Sequence, residues 1–426
     1  MTPFFFSLLA VLLASSIPIF IVLAGAVTTA MWLQGMPLAL VVERMFSGID
    51  SFALMAIPFF VLTGNLMGIG GLSKRLIRFA DLVVGRMTGG LGITAVTSSM
   101  FFGAISGSSP ATVVAVGGIL YPALKDGGYG RDFSIGLIVA SGSLGIIIPP
   151  SIVMIVYAAV TGTSVGALFM AGIGAGLVYG LVFMGYAAIH AKRHNVPRSP
   201  TPTWPEIRDG FKDASWGLGV PGVILGGIYG GVFTPTEAAA VSVVYAFFVS
   251  AFIYREKTIV ELLVAVRDSA ATTAQVMIIL SAAALLAWYL TSTGLAVAMT
   301  NAILSISENP IHLFMLINVA VLLAGMFLDG ASIMVILAPL FYKVGVLVGI
   351  DPVHLGVVLT VNGAIGMFTP PFGLNLFVAS SLGKVTYEQA VRGALPFVAL
   401  AIIALMIVTY VPGISMWLPR LLYAGM

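Results

Sequence analysis

Two stretches decide how this chain folds: Gly142-Ser143-Leu144-Gly145-Ile146-Ile147-Ile148-Pro149-Pro150-Ser151 and Gly363-Ala364-Ile365-Gly366-Met367-Phe368-Thr369-Pro370-Pro371-Phe372. Gly142, Gly145, Pro149 and Pro150 each recur 221 residues later, as Gly363, Gly366, Pro370 and Pro371. Proline lacks an N–H and its ring clashes with the preceding helical turn, so a Pro-Pro pair inside an apolar run breaks a helix. Flanking matches extend the correspondence: Gly71-Leu72 with Gly294-Leu295, Gly107 with Gly330 and Ser109 with Ser332, all 223 residues apart. A small indel reconciles the two offsets. The chain therefore reads as two repeats of like plan, residues 1–190 and 214–426, joined by a polar linker at 191–213 that carries Pro197, Pro200, Pro202 and Pro205.

The surroundings of these blocks are apolar. Charged residues make up 8% of the 426 residues, against about 25% in soluble domains. Hydrophobic residues make up 59%, and mean hydropathy is +1.10. No charge falls in 1–42, 87–124, 133–191, 269–307, 352–383 or 393–419, and each run exceeds the ~20 residues that a transmembrane helix needs. This is the pattern of an all-α polytopic membrane protein; it excludes water-soluble enzymes and nucleic-acid binders. There is no cysteine, so disulfides and thiolate chemistry are absent. His190, His194, His312 and His354 show no metal-ligand spacing, and no Ser-His-Asp set or nucleotide loop is visible. The chain is not an enzyme by this reading, and its driving force must be an ion gradient or another protein. Met1-Thr2-Pro3-Phe4-Phe5-Phe6 lacks the basic region of a secretory signal, so the first span is expected to be retained.

Apolar runs place full spans at 3–24, 26–43, 51–70, 131–160, 164–190, 214–233, 235–254, 272–292, 352–382 and 390–419. Amphipathic stretches lie at 72–87 and 255–270, and a short arm at 294–307. The runs 90–122 and 311–347 are interrupted by small polar residues and read as re-entrant hairpins whose two ends share one face. About ten spans plus two hairpins put five crossings between the Pro-Pro blocks. An odd number makes the repeats inverted, and inverted repeats with broken helices mark secondary transporters. Charge agrees with this count: sixteen Lys and Arg residues fall on the side of the 191–213 linker, and only Arg44, Lys343 and Arg420 on the other. The basic side is cytoplasmic by the positive-inside rule, which leaves both termini outside.

A chain that turns round inside a bilayer exposes backbone groups that must be buried or face water, and such groups are also ligands. Ser106-Gly107-Ser108-Ser109-Pro110-Ala111-Thr112 suits such a tip. Glycine permits the turn, hydroxyls supply oxygens, and Pro110 fits the first position of the second arm. The N-terminus of that arm offers free N–H groups and a positive dipole end to an anion. The counterpart tip is Asp329-Gly330-Ala331-Ser332. An intramembrane carboxylate needs a partner, and a cation is the natural one. The Pro-Pro breaks are expected to leave carbonyls open near 142–146 and 363–367, and hard oxygens suit Na+ and similar ions. One cation site per repeat follows, mostly through backbone carbonyls: Ser106, Ser109, Gly142 and Gly145 in the first; Asp329, Gly330, Asn362, Gly366 and Thr369 in the second. An anion would sit between the tips, against Ser106, Gly107, Ser108, Ser109, Pro110, Thr112, Ser332 and Asn375, bordered by Pro150 and Pro371. Thr234, Pro235 and Glu237 form a capping-box pattern, with a substrate role for Glu237 as the alternative. An anion channel is the alternative reading of the whole.

The blocks AIPFFVLTGNLM (56–67), GAISGSSPATVVAVGGILYPAL (103–124), GSLGIIIPPSIVMIVYA (142–158), GGIYGGVFTPTEAAAVSVVYAFF (226–248) and GIDPVHLGVVLTVNGAIGMFTPPFGLNLFVAS (349–380) resemble the large membrane subunit of tripartite ATP-independent periplasmic (TRAP) transporters. The likeness runs over nearly the whole chain. It implies Na+-coupled uptake of an organic acid, of C4-dicarboxylate or sialic acid type, across a bacterial inner membrane, with no organic cofactor. It implies two partners, a small four-helix membrane subunit and a periplasmic substrate-binding protein. It further implies an elevator mechanism, in which hairpins (90–122 and 311–347) and broken helices (131–160 and 352–382) form a transport domain that moves against a scaffold of the remaining spans. By position, Ser106 to Thr112, the Pro-Pro loops and Asp329 fall in the ion and substrate region of that family.

Overall fold

A computed structural model describes residues 2–15, 17–198 and 200–423, and within them the only regular secondary structure is helical. The N-terminus departs from the expected spans at 3–24 and 26–43. Helix α1 (Thr2–Ala14) ends before Pro18, and α2 (Ile19–Leu33) begins after it. At 1.5 Å per residue, 13 and 15 residues reach about 20 and 22 Å, short of a ~30 Å hydrocarbon core. The two fold back on each other: the Phe5 ring lies 5.2 Å from the Tyr289 ring, and Gln34 Nε2 donates to the Tyr289 hydroxyl at 2.6 Å. Both outer ends of the pair thus meet one residue.

After a short α3 (Ala39–Ser47), α4 (Ala56–Ile69) leads to the amphipathic α5 (Leu72–Val84). Leu72, Leu76, Ile77 and Ala80 are buried there, and Lys74 and Arg78 are exposed, the stripe of a surface helix. The first hairpin is α6 (Gly90–Ser106) and α7 (Ser109–Leu124); the first broken helix is α8 (Arg131–Gly142) and α9 (Ile152–Thr161). Then come α10 (Val165–Arg193), α11 (Trp204–Tyr229), α12 (Pro235–Phe248) and α13 (Ile259–Ser292). The arm α14 (Leu295–Leu304) precedes the second hairpin, α15 (Pro310–Gly325) and α16 (Gly330–Leu347). The second broken helix is α17 (Pro352–Gly366) and α18 (Leu374–Gly383), before α19 (Tyr387–Tyr410) and α20 (Gly413–Tyr423). Among the described residues six helical stretches are long and apolar enough to cross a membrane, the hairpin arm α16 among them; α11, with 26 residues, is not one of the six.

Three further boundaries correct the sequence reading. The linker 191–213 is helical from Trp204, because Thr203 and Glu206 form a capping box that starts α11 early. The stretches 255–270 and 272–292 are one 34-residue helix, about 51 Å long, started by the capping box of Thr258 and Glu261. The span 390–419 divides in two, with Pro412 in the break between α19 and α20.

The repeat is real in three dimensions. Arms α5 and α14 both start at a glycine of positive φ, Gly71 at 77° and Gly294 at 72°. Each hairpin crosses its own broken helix glycine on glycine. A Cβ on Gly103 would lie 2.9 Å from Gly145 Cα, and one on Gly325 would lie 3.0 Å from Gly366 Cα, so any side chain would force the helices apart. At the tips, however, the structure aligns Ser108 with Asp329, the residues that precede α7 and α16. That offset is 221, as for the Pro-Pro blocks; the 223-residue matches Gly107/Gly330 and Ser109/Ser332 are not structural equivalents.

The two arms are held differently. Arg75 on α5 pairs with Asp213 at 3.1 Å and Glu256 at 2.5 Å, donates to the Gly71 carbonyl and lies 4.0 Å over the Tyr254 ring. The contact gathers three of the stretches whose charges placed them on one side. Arm α14, LAVAMTNAIL, has no charge. Removing one partner of a sheltered ion network leaves the others uncompensated, whereas an exposed pair contributes little. Arg75→Met should therefore lower the apparent melting temperature of the purified protein by several degrees. Arg208→Met, which removes the exposed pair with Asp209, should leave it unchanged; equal effects in differential scanning fluorimetry would refute the clamp.

Candidate functional site

The first tip turns at Gly107, which adopts φ +59°, and α7 starts at Ser109, so Pro110 is its second residue rather than its first. The hydroxyls fold inward. Thr112 Oγ1 donates to the Ser108 carbonyl at 2.7 Å and lies 3.2 Å from Ser106 Oγ. Ser106, Ser109 and Thr112 are all buried. Gly145 of the first break packs directly on this tip: a Cβ there would lie 2.6 Å from the Ser108 carbonyl oxygen and would overlap the Thr112 hydroxyl. Gly142 lies against Val113 one turn on. Of the four residues expected of the first cation site, Ser106 and Gly145 thus meet around Thr112, whereas Gly142 lies against Val113 and the Ser109 hydroxyl is paired with Asn375.

The second tip is built on Asp329. Its carboxylate caps α16, accepting from Ala331 N at 3.0 Å, from Ser332 N at 3.4 Å and from the Ser332 hydroxyl. Gly330 Cα lies 3.5 Å from where a Cβ of Gly363 would stand, so the start of α16 packs on the second broken helix. The expectation of open carbonyls needs correction there. The chain leaves α17 through tight turns in which Gly363, Ile365 and Gly366 carbonyls accept from Met367 N, Phe368 N and Thr369 N, and Thr369 Oγ1 donates to Ile365 O. Ile365 O thus accepts twice, and only a second lone pair remains on the Gly363 and Gly366 oxygens. In the first break Leu144 O accepts from Ile147 and Ile148 N, and Ile146 O accepts from Ser151 Oγ.

Each tip also reaches the break of the opposite repeat. Asn375, just past Pro371, donates to Ser109 Oγ at 2.7 Å and to Val139 O at 3.2 Å, while Ser109 Oγ lies 3.1 Å from Asn375 Oδ1. Gly330 in turn lies against Ile146 and Val153. Both Pro-Pro peptide bonds are cis. Four helix N-termini converge in this way, and they fall into two kinds. Those of α16 and α9 are capped by Asp329 and by the Ser151 hydroxyl. Those of α7 and α18 have no side-chain cap, and they are the pair joined by Ser109 and Asn375.

Buried acceptors single out one further atom. Asn362 donates through Nδ2 to the Asn318 backbone oxygen at 3.1 Å and to Asn318 Oδ1 at 3.0 Å. Its own Oδ1 is buried without a hydrogen-bond partner. An unpaired buried acceptor is costly and has the chemistry of a hard-cation ligand.

The two breaks differ in exposure. Residues 141–151 are buried throughout, whereas Pro371, Phe372 and Leu374 are exposed. Beside the second tip opens a cavity of about 820 Å³ lined by Asp329, Ser332, Leu328 and Phe372 together with Leu13 and Ile17 of the N-terminal pair. Tyr387 closes the far side of this break, its hydroxyl 2.7 and 2.9 Å from the carbonyls of Pro371 and Phe372. Sequence reasoning missed Asn318, Ser151 and Tyr387. Asn318 left a trace, since it is the one amide inside the uncharged run before Asp329, Asn309 standing at that run's first position. Glu237 is a cap: it accepts from Thr234 N at 2.8 Å, and Thr234 Oγ1 accepts from Glu237 N.

Comparisons with known proteins agree with one another. The family model for the tripartite ATP-independent periplasmic transporter, DctM component, matches residues 6–414. The C4-dicarboxylate TRAP transporter large permease protein DctM of Vibrio cholerae is 43% identical over 413 residues, covering 92% of this chain and 91% of that protein. The isethionate TRAP transporter permease protein DctMQ of Oleidesulfovibrio alaskensis is 39% identical over 425 residues, covering 97% of this chain and 66% of that protein. In fold the chain is similar to the YdaH transporter of Alcanivorax borkumensis, whose crystal structure was described as having an unusual topology. The TM-score is 0.61 at 16% identity, over 89% of this chain and 87% of that one. Crossed hairpins, paired Pro-Pro breaks and a family match over almost the full length lead to one conclusion: this chain is a multi-pass membrane permease subunit that belongs to the DctM component family of tripartite ATP-independent periplasmic transporters.

Proposed function

We propose that this protein is the large subunit of a Na+-coupled secondary transporter that takes up an organic acid across a bacterial inner membrane. One observation carries the reading: two hairpin tips cross between two broken helices, and a buried amide oxygen, Asn362 Oδ1, is left without a donor. The residues fit Na+. In the second repeat Asn362 Oδ1 supplies a free oxygen, and Asp329 supplies charge at an adjoining helix start. In the first, Ser106 and Thr112 hydroxyls and the Ser108 carbonyl meet Gly145. The cation supplies counter-charge to the substrate anion when bound; no Lys or Arg lies in either tip. The substrate carboxylate belongs at the starts of α7 and α18, where helix dipoles favour negative charge and no carboxylate side chain caps the helix; at α18 the Asn375 and Leu376 N–H groups are already given to the Met367 and Gly373 carbonyls.

The relatives support an organic-anion substrate. One is named for C4-dicarboxylates and another for isethionate, so carboxylates and sulfonates are both within the class. The partners in this proposal are a small four-helix membrane subunit and a periplasmic binding protein that delivers the substrate. The name DctMQ on a longer relative is consistent with a second permease part. Hairpins and broken helices form the moving transport domain of an elevator, carried by arms α5 and α14 against the remaining helices. The basic side is cytoplasmic and both termini are periplasmic.

Two measurements follow, in proteoliposomes that hold the permease subunits and the binding protein. Uptake of a labelled organic acid should require Na+, and Asp329→Asn should raise the half-activating Na+ concentration at least several-fold; uptake undiminished in choline medium would sink the proposal. Ser109→Ala strands the Asn375 oxygen and should cost about 1–3 kcal/mol of stability. If the Ser109–Asn375 contact only tied helices together, Ser109→Ala/Asn375→Leu would recover wild-type stability and uptake. Recovery of stability without uptake is the expected result.

A further inference from the structure

We propose that Asn318 is a positioning residue that fixes the polarity of the Asn362 amide, so that its oxygen and not its nitrogen faces the cation. This rests on the reading of Asn362 as a cation ligand. An amide side chain has two ends of similar shape and opposite hydrogen-bonding character. Left to itself at a cation site, it could present either one.

At Asn362 the choice is made from behind. Its Nδ2 meets two acceptors of one residue, the Asn318 backbone oxygen at 3.1 Å and Asn318 Oδ1 at 3.0 Å. A flipped amide would set an oxygen against two oxygens. Asn318 is itself oriented, because its Nδ2 donates to Thr409 Oγ1 at 3.1 Å. Its own oxygen is thereby turned toward Asn362. The order Thr409, Asn318, Asn362 runs from α19 through α15 to α17, and all three residues are buried.

The first repeat shows what the arrangement adds. Ser141 stands 221 residues before Asn362, the offset of the Pro-Pro blocks. It accepts from Ser99 Oγ at 3.1 Å and donates to Ile138 O, so its helix is joined to the first arm of its hairpin just as α17 is joined to α15. Hydroxyls rotate and need no orientation. The second repeat replaces this self-satisfied pair with two amides and leaves one acceptor over. A contact serving packing alone would not retain an unpaired buried oxygen, which costs more than a hydrogen bond returns.

The test uses binding rather than transport. Ligand that binds the folded state stabilises it by RT ln(1 + [L]/Kd), so the melting temperature of the purified full chain is followed as NaCl replaces choline chloride at constant ionic strength, and the midpoint is the Na+ concentration that gives a stabilisation of RT ln 2. Asn362→Ala should cut the Na+-dependent rise to the part that the first-repeat site contributes. Asn318→Leu should move its midpoint to roughly five- to tenfold higher Na+. Asn318→Asp keeps the acceptor facing Asn362, can accept from the Thr409 hydroxyl, and should leave the midpoint at or below wild type. Thr409→Val should raise it by a smaller factor. An Asn318→Leu midpoint within about twofold of wild type, with the rise in Asn362→Ala still cut back, would overturn the positioning role and leave the cation reading standing. A normal response from Asn362→Ala would overturn the cation reading itself. If Asn318→Leu does not fold, Asn318→Asp and Thr409→Val decide, because shifts of the same sign contradict the proposal.

Discussion

A backbone polar group freed inside an apolar medium must find a partner, and this requirement organises the molecule. Pro149-Pro150 and Pro370-Pro371 each interrupt a helix where water is scarce. The interruptions are tolerable because each is plugged by hairpin tips with hydroxyls and backbone of their own. The plug works at short range, which is why glycine meets glycine where α6 crosses α8 and α15 crosses α17. The apolar packing around this centre brings the tips to the breaks. The hydrogen bonds there then choose one arrangement among the many that packing alone would allow.

The convergence creates an electrical sorting as well. Four helix starts would repel one another if all kept their positive ends bare. Asp329 sets a carboxylate against one and the Ser151 hydroxyl accepts from another, while α7 and α18 carry no side-chain cap. A site poor in charged side chains can in this way hold regions of opposite preference a few residues apart. Low charge in the sequence and strong local polarity in the fold are therefore compatible.

Much of this was legible in advance. The Pro-Pro blocks and charge-free runs announced the helical membrane class, both hairpins and both breaks, because glycine, proline and the absence of charge act locally. The second tip was placed a few residues late, since α15 ends at Gly325 and α16 already begins at Gly330, and the alignment of the tips was missed: identical letters at a 223-residue offset hide the 221-residue equivalence of Ser108 and Asp329. The kink at Pro18 was read through, since the residues on either side are equally apolar. The role of Asn318 was invisible because the identity of an amide does not tell which way it faces; that depends on Thr409, some ninety residues further on. Open carbonyls at the second break were overestimated because tight turns satisfy the first lone pair wherever the chain can close them.

The contact between Ser109 and Asn375 spans 266 residues. Ribosomes add about 5–20 residues per second, so the serine waits roughly 13–50 s for its amide to be made. Through that interval the earlier tip lies in the bilayer with its final partner missing. The earlier half can therefore be inserted but not finished. Its maturation is timed by the translation of the later half, and a chain truncated between the two would carry an incomplete centre however well its own helices had formed.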